Sequence, residues 1–220
     1  MASPVVAFRK DPGRFTAEVA VAEARIAAKD WNPAQSAVNG ARSSLRPLLT
    51  SEIAKDPQLT ALTARLDAAE HKMNTTLNNE AQRSVRIGQV IGFAEMGQLN
   101  ELKAALGQDR SLANEHNPNG LPILRVAAQT DCVECAAALI DAGAQLEEGA
   151  PQFGQTALHG AAGWSNLEMV KLLVSRGAAI NARATNGFTP LAIARDNFFQ
   201  DSYGERKKIV SFLLARGAKE

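Results

Sequence analysis

Cysteine is nearly absent. The 220-residue chain has two, Cys132 and Cys135, too few for the disulfide framework that holds many small secreted domains together. Their Cys-x-x-Cys spacing is half of a zinc site, but no second Cys or His pair follows to complete four ligands. A dithiol redox pair would follow a strand at a helix start, and no strand is predicted here. Cys135 therefore reads as a small core residue opening a helix. Aromatics are also scarce, eight Phe, two Trp and one Tyr, which argues against a surface that stacks nucleic-acid bases. Neither sign of charge dominates: net charge is +1, with 11 Lys+Arg against 9 Asp+Glu up to residue 84 and 13 against 14 beyond it. That balance gives no clustered cationic face, so no nucleic-acid partner is expected. No apolar run approaches the roughly 18 residues of a membrane span. The opening Met-Ala-Ser-Pro-Val-Val-Ala-Phe-Arg-Lys lacks the basic leader and long apolar stretch of a signal peptide. A cytoplasmic location is expected, with a periplasmic or exported protein as the alternative if that start is a trimmed one.

Catalytic signatures are missing too. There is no Gly-rich phosphate loop, no His-Glu-x-x-His and no Gly-x-Ser-x-Gly. The three histidines, His71, His116 and His159, fall in three different contexts, and Ser165 and Ser175 have no evident His partner. The expectation is no enzyme, no catalytic residues, no metal and no cofactor.

What is present is a repeat. Gly154–Asn186 reads GQTALHGAAGWSNLEMVKLLVSRGAAINARATN, a turn, a short helix, a tight turn, a longer helix and a glycine stop. It restarts at Gly187 as GFTPLAIA, a step of 187 − 154 = 33. Thr156 is placed to cap the first helix. Ala161 and Ala162 are small enough for close approach, Leu167, Val170, Leu173 and Val174 make one apolar face, and Gly177 suits the left-handed conformation that ends a helix. Upstream, GLPILRVAA from Gly120 aligns at a step of 34, as does Gly143-Ala144 with Gly177-Ala178. There Pro122 replaces Thr156 and Arg125 replaces His159, so the cap is degraded. Ile91–Asn114 has the helix pair without the Thr-x-Leu-His start. Downstream, Thr189-Pro190-Leu191-Ala192 opens a last unit ending at Gly217-Ala218, where 217 − 177 = 40 leaves about seven surplus residues in Asn197–Gly204. Lys219 and Glu220 give that unit a polar end. A period near 33 with Thr156-Ala157-Leu158-His159 in register resembles the ankyrin repeat closely, over roughly residues 85–220.

The first part of the chain reads differently. Residues 1–12 are expected to be a flexible lead. Phe15, Val19, Ala22 and Ile26 form one helical stripe ending near Asp30. Asn32-Pro33 is a helix restart, Asn as cap and Pro at the first position, followed by the stripe Ala34, Ala37, Ala41, Leu45, Leu48, with Pro47 in its last turn. Asp56-Pro57 repeats that signal before Leu59, Leu62, Leu66, Ala69, Met73 and Leu77. Short connections make these antiparallel neighbours. A helix restart is expected within Asn78–Ser84.

The predicted fold is all-α, an N-terminal antiparallel helical bundle followed by an ankyrin-type helix-turn-helix solenoid of about four repeats. The expected divisions are 1–12 lead, 13–84 bundle or cap, and 85–220 repeats, approximately 85–116, 117–150, 151–183 and 184–220. The resemblance implies a concave face formed by turn tips and first helices that contacts a partner protein. Carried over by position, its slots hold Asn119 and Leu121 (with Pro118), Gln152, Phe153 and Gln155, and Asn186 and Phe188 (with Thr185). First-helix ends add Gln129 and Thr130, Trp164 (after Gly163), and Asn197 (after Asp196). Phe153 and Trp164, with Phe188 and Arg183 nearby, are the expected anchors, because large aromatics and Arg dominate binding energy. Packing of Trp164 against Phe198 or Tyr203 is the alternative. Arg176, Arg183 and Arg195 lie one repeat from Glu147 and Glu148, as steering charge or as a mixed solvated surface. The expected function is non-catalytic protein binding, as an adaptor or as an inhibitor or immunity-type protein of a partner enzyme, and the Ala- and Arg-rich composition suggests a bacterial source. The alternative is an assembly protein whose residues 13–80 form a homo-oligomer.

Overall fold

A computed structural model describes residues 4–50, 53–196 and 204–219. Among the described residues the chain has eleven α-helices and no strand. It divides into two compact units, residues 1–82 and 83–220.

In the first unit, α2 (Pro12–Ala27), α3 (Trp31–Leu49) and the start of α4 (Pro57–Glu95) share one core. Each apolar stripe supplies it: Phe15, Val19, Ala22 and Ile26; Ala34, Val38, Ala41, Leu45 and Leu48; Leu59, Leu62, Leu66, Ala69 and Met73. Val38, rather than the expected Ala37, is fully buried, and Ala37 packs at its edge. Caps set the starts. Asp11 accepts from Arg14 N–H at 3.2 Å, ahead of Pro12. Asp56 Oδ1 accepts from Gln58 N–H (2.8 Å) and Leu59 N–H (3.3 Å), two of the donors that a helix start leaves unpaired. At α3 the cap is Asp30, not Asn32. Asp30 makes no capping bond and instead takes Arg25 Nη1 at 2.8 Å.

Two expectations fail here. The supposed flexible lead holds a helix, α1 (Pro4–Lys10), whose Phe8 is only 3% exposed and meets Phe15 edge-on at 5.5 Å. Packing of Phe8, with Val5 at its edge, against the first unit's core holds a seven-residue helix that propensity alone would not,. The restart expected within Asn78–Ser84 is also absent, because α4 runs unbroken through those residues. Asn and Ser are tolerated inside a helix, and nothing there removes a backbone donor as Pro would.

In the second unit the end of α4 pairs with α5 (Leu99–Gln108), followed by a short 3₁₀ turn, Arg110–Asn114. Then come α6 (Ile123–Ala127) with α7 (Val133–Ala142), α8 (Ala157–Gly163) with α9 (Leu167–Ser175), and α10 (Pro190–Arg195) with α11 (Glu205–Ala215). One continuous core runs through all four pairs. Ala127, Ala161 and Ala162, each 0% exposed, let the short first helices approach closely, while Leu139, Met169, Leu173, Ile209 and Leu213 fill the space behind them. Gly143, Gly177 and Gly217 end the longer helices with φ of +105°, +92° and +85°, the left-handed stop expected from the sequence.

The cysteines depart from expectation. Cys135 is a core residue, 0% exposed, as expected, but it is disulfide-bonded to Cys132, with Cα atoms 5.2 Å apart. A separation of three across the first turn of α7 brings two such side chains within bonding reach,.

Candidate protein-binding face

The tips between helix pairs are tight turns held by their own backbone. Asn117 N–H donates to Leu121 O, Ala150 N–H to Gln155 O, and Ala184 N–H to Phe188 O, each at 2.9 Å. Successive tips touch. Thr185 N–H donates to Phe153 O at 2.8 Å, and at Gly154 (φ +60°) an added Cβ would lie 3.0 Å from Thr185 Cγ2. Only glycine meets both demands there.

His159 locks one tip to the helix behind it. Thr156 and His159 form a capping box at the start of α8,. Nδ1 accepts Thr156 N–H at 3.1 Å, and Nε2 lies 3.1 Å from Phe188 O. Nδ1 is thus the unprotonated nitrogen and Nε2–H the donor. The ring is 1% exposed, and burial pushes its pKa below the ordinary 6.5, with Arg125 adding to the effect and the Phe188 and Ala182 carbonyls opposing it. Thr189 caps α10 likewise, accepting from Ala192 N–H at 3.2 Å. Pro122, in the same slot of α6, makes no side-chain cap.

Of two buried arginines, Arg206 holds the turn that carries Trp164 directly and Arg125 reaches Trp164 through Gln129. Arg125 stands in the register slot of His159 and is 8% exposed. Its Nη2 donates to Gln155 Oε1 at 3.3 Å. With the Gln129 amide oxygen turned toward its donors, Gln129 accepts from Arg125 Nη1 (3.0 Å) and Trp164 Nε1 (3.1 Å). Burial lowers the Arg125 pKa, and its Nε has no partner among the described residues. From the other side Arg206, 6% exposed, donates to Ser165 Oγ at 3.1 Å and to the Asp196 carbonyl. Neither arginine was anticipated as part of the face. The repeat register puts Arg125 in the slot of His159, and Arg206 carries no signal in the sequence.

The expected site residues divide into groups. Phe153, Gln155, Asn186 and Phe188 line one cavity of about 530 Å³, with Gly163, Ile193, Asp196 and Arg206. Phe153 and Phe188 are 52% and 48% exposed. Trp164, 62% exposed, does not line that cavity and its indole turns toward Gln129. It shares a slot, at steps of 34, with Thr130 and Met96, and Met96 is 75% exposed. Gln152 is exposed at its tip. Asn119 and Leu121 both donate backbone N–H groups to Asn117 Oδ1 at 3.0 Å. Thr130 is half-buried and structural, its Oγ1 donating to Ala127 O and its carbonyl accepting from Asn166 Nδ2. Arg183 Nη1 donates to Gly187 O within its own turn. Asn197, with Phe198 and Tyr203, lies outside the described residues. The charges expected to steer a partner are largely engaged: Glu147 accepts from Ala179 N–H, Glu148 meets His116 at 2.7 Å, and Arg176 pairs with Asp141.

A family model described as ankyrin repeats (3 copies) matches residues 91–184 and 145–220, together more than half of the chain. The chain belongs to the ankyrin-repeat family. It is similar to the mouse protein named ankyrin repeat and SAM domain-containing protein 6, 28% identical over 138 residues. The rat protein of the same name is 29% identical over 115 residues. These stretches cover 63% and 52% of this chain but only 15% and 13% of the relatives. Ankyrin repeats generally mediate protein–protein interaction. Among the described residues no helix is long and apolar enough to cross a membrane, and no three His, Cys, Asp or Glu side chains are grouped as metal ligands would be.

Proposed function

We propose that this ankyrin-repeat chain is a non-catalytic binding module that holds a partner protein on the face built by its turn tips. The observation that carries the reading is the pair Phe153 and Phe188, both about half exposed and lining the same cavity of about 530 Å³. Leaving two phenyl rings partly in water is unfavourable by roughly 25 cal/mol per Å² of apolar area, and a partner side chain entering the cavity recovers that. Gln155, Asn186 and the buried Arg206 offer polar contacts at its wall. Trp164 is a second anchor one turn away, oriented by Gln129 and Arg125. Rigid presentation by the capped, cross-bonded tips lowers the ordering cost of association. The adaptor and the enzyme-inhibitor roles share this face and differ only in the partner.

The test is affinity capture from cell extract with three full-length baits: wild type, Phe153→Ala/Phe188→Ala and Trp164→Ala. A protein retained by wild type and lost with the double variant, at unchanged thermal stability, supports the reading, and its identity separates adaptor from inhibitor. Equal retention by all three baits sinks it.

A second reading rests on the first unit. Leu49 is 45% exposed and lines a cavity of about 480 Å³ with Leu45, Leu66 and Arg42, a surface through which residues 13–80 would form a homo-oligomer. Light scattering that shows a concentration-dependent mass in wild type, abolished by Leu49→Asp, favours it. A monomer in both removes it.

A further inference from the structure

The disulfide spans the first turn of α7. Cys132 is the N-cap, partly exposed, and Cys135 lies three residues on, 0% exposed. Cys132 Sγ accepts Cys135 N–H at 3.2 Å. The same turn recurs 34 residues later at the start of α9, where Asn166 Oδ1 accepts Met169 N–H at 2.9 Å. That turn carries no cross-link, so the fold of the pair does not require one. The ring closed by residues three apart is also at the short end, where a cross-link removes least entropy from the unfolded chain. A bond that contributes so little to folding leaves both redox states compatible with the native structure.

The two sulfurs are not equivalent. Cys135 is sealed in the core among the apolar residues of the stack. Cys132 faces the neighbouring turn at Gly97, where an added Cβ would lie 3.4 Å from Cys132 Cβ and where φ of +68° favours glycine. That turn thus presents backbone, not a side chain, to the sulfur. If the bond opens, a Cys132 thiolate sits at the N-terminus of a ten-residue helix, where the free N–H groups and the helix dipole favour negative charge. Asp131 and Glu134, both exposed beside it, oppose that charge through solvent, where screening is strong.

We propose that Cys132–Cys135 is a redox-active disulfide that exchanges with small thiols, Cys132 being the sulfur attacked and Cys135 the resolving thiol. An incoming thiolate attacks Cys132 Sγ, the Cys132–Cys135 bond breaks, and Cys135 leaves as a thiolate that takes up a proton. A second thiolate attacks the incoming sulfur of this mixed disulfide, releasing the small-molecule disulfide and the Cys132 thiolate. Two electrons pass to the protein while two thiols are oxidised, and the reverse sequence reoxidises the pair. A reducing compartment holds the site as a dithiol and an oxidising one as the disulfide.

The experiment equilibrates the full chain in buffers of graded reduced-to-oxidised glutathione, traps free thiols by alkylation and reads masses, with circular dichroism on each sample. The expected result is one reversible transition in which both thiols appear together, with unchanged helical signal. In the partly reduced native protein Cys132 alkylates at least tenfold faster than Cys135. Cys135→Ala captures one glutathione on Cys132, and Cys132→Ala captures none. Reduction that occurs only with unfolding, equal alkylation of the two thiols, or no glutathione on folded Cys135→Ala would overturn the proposal and leave a plain cross-link. Should Cys135→Ala fail to fold, the wild-type alkylation ratio decides alone.

Discussion

Replacing His159 by Ala tests how the tip and the helix behind it are held together. The ring makes three contacts: Nδ1 accepts Thr156 N–H at 3.1 Å and lies 2.9 Å from Thr156 Oγ1, and Nε2–H donates to Phe188 O at 3.1 Å. Phe188 O keeps a second donor, Ala184 N–H at 2.9 Å, so losing His159 costs it little. Thr156 N–H has no such reserve. It would be left unpaired in a residue 5% exposed, at about 1–3 kcal/mol for a buried orphan donor. With the space left by the ring, the expected loss is about 2–4 kcal/mol. Urea unfolding followed by circular dichroism measures it as a lower midpoint at unchanged slope. A pH series adds an independent check. The folded-state pKa of His159 is depressed, so the unfolded chain binds the proton more readily, and stability rises with pH through that window. The contribution is therefore complete above the unfolded value, near 6.5, and is lost as pH falls toward the folded value. Subtracting the variant's pH profile from that of wild type isolates this residue from His71 and His116. A midpoint shift worth under about 0.5 kcal/mol, the size of an ordinary surface change, with identical slopes below pH 6.5, would refute the argument.

Gly160→Ala places a Cβ 2.5 Å from Arg125 Nη1, and a guanidinium held in a packed interior has little room to move, so a loss of about 1–3 kcal/mol is expected by thermal unfolding. Phe8→Ala should destabilise the first unit by about 3 kcal/mol, measured as a lower urea midpoint, whereas a truly flexible lead would give no change. Asp56→Ala removes the acceptor for two N–H groups at the start of α4 and should cost about 1 kcal/mol in the same assay.

The parts of the fold that were legible are those where one short-range rule decides. Stripes spaced by three and four residues marked α2, α3 and the start of α4, and Leu158, Ala161 and Leu173 are buried where the repeat register put them. Asp56-Pro57 and Thr156 stood at real helix starts. Asn32-Pro33 misled by two residues, because the same dipeptide is tolerated inside a first turn and Asp30 took the cap position. Of the face, periodicity and the family pattern located the tips, but not which side chains meet there. Phe153 and Phe188 line one cavity while the Trp164 indole meets Gln129, four residues along its own repeat from Arg125, and such pairings between repeats are not written in a local stretch of sequence.

Taken alone, the sequence determined that the chain is helical, that its second part carries a 33–34-residue repeat and that three of the repeat units end on a glycine, because those features rest on spacing, caps and backbone sterics acting over a few residues. Tertiary structure alone decided the rest. Phe8 orders α1 because Phe15 and the rest of the first unit's core receive it. Arg125 and Arg206 are buried where the Gln155 amide and the Ser165 hydroxyl, 30 and 41 positions away in sequence, receive them. The repeat turn at the start of α7 became a disulfide where the turn at α9 has an asparagine. Each of these depends on groups brought together by packing, and the free energy of a buried side chain is a property of its neighbours in space.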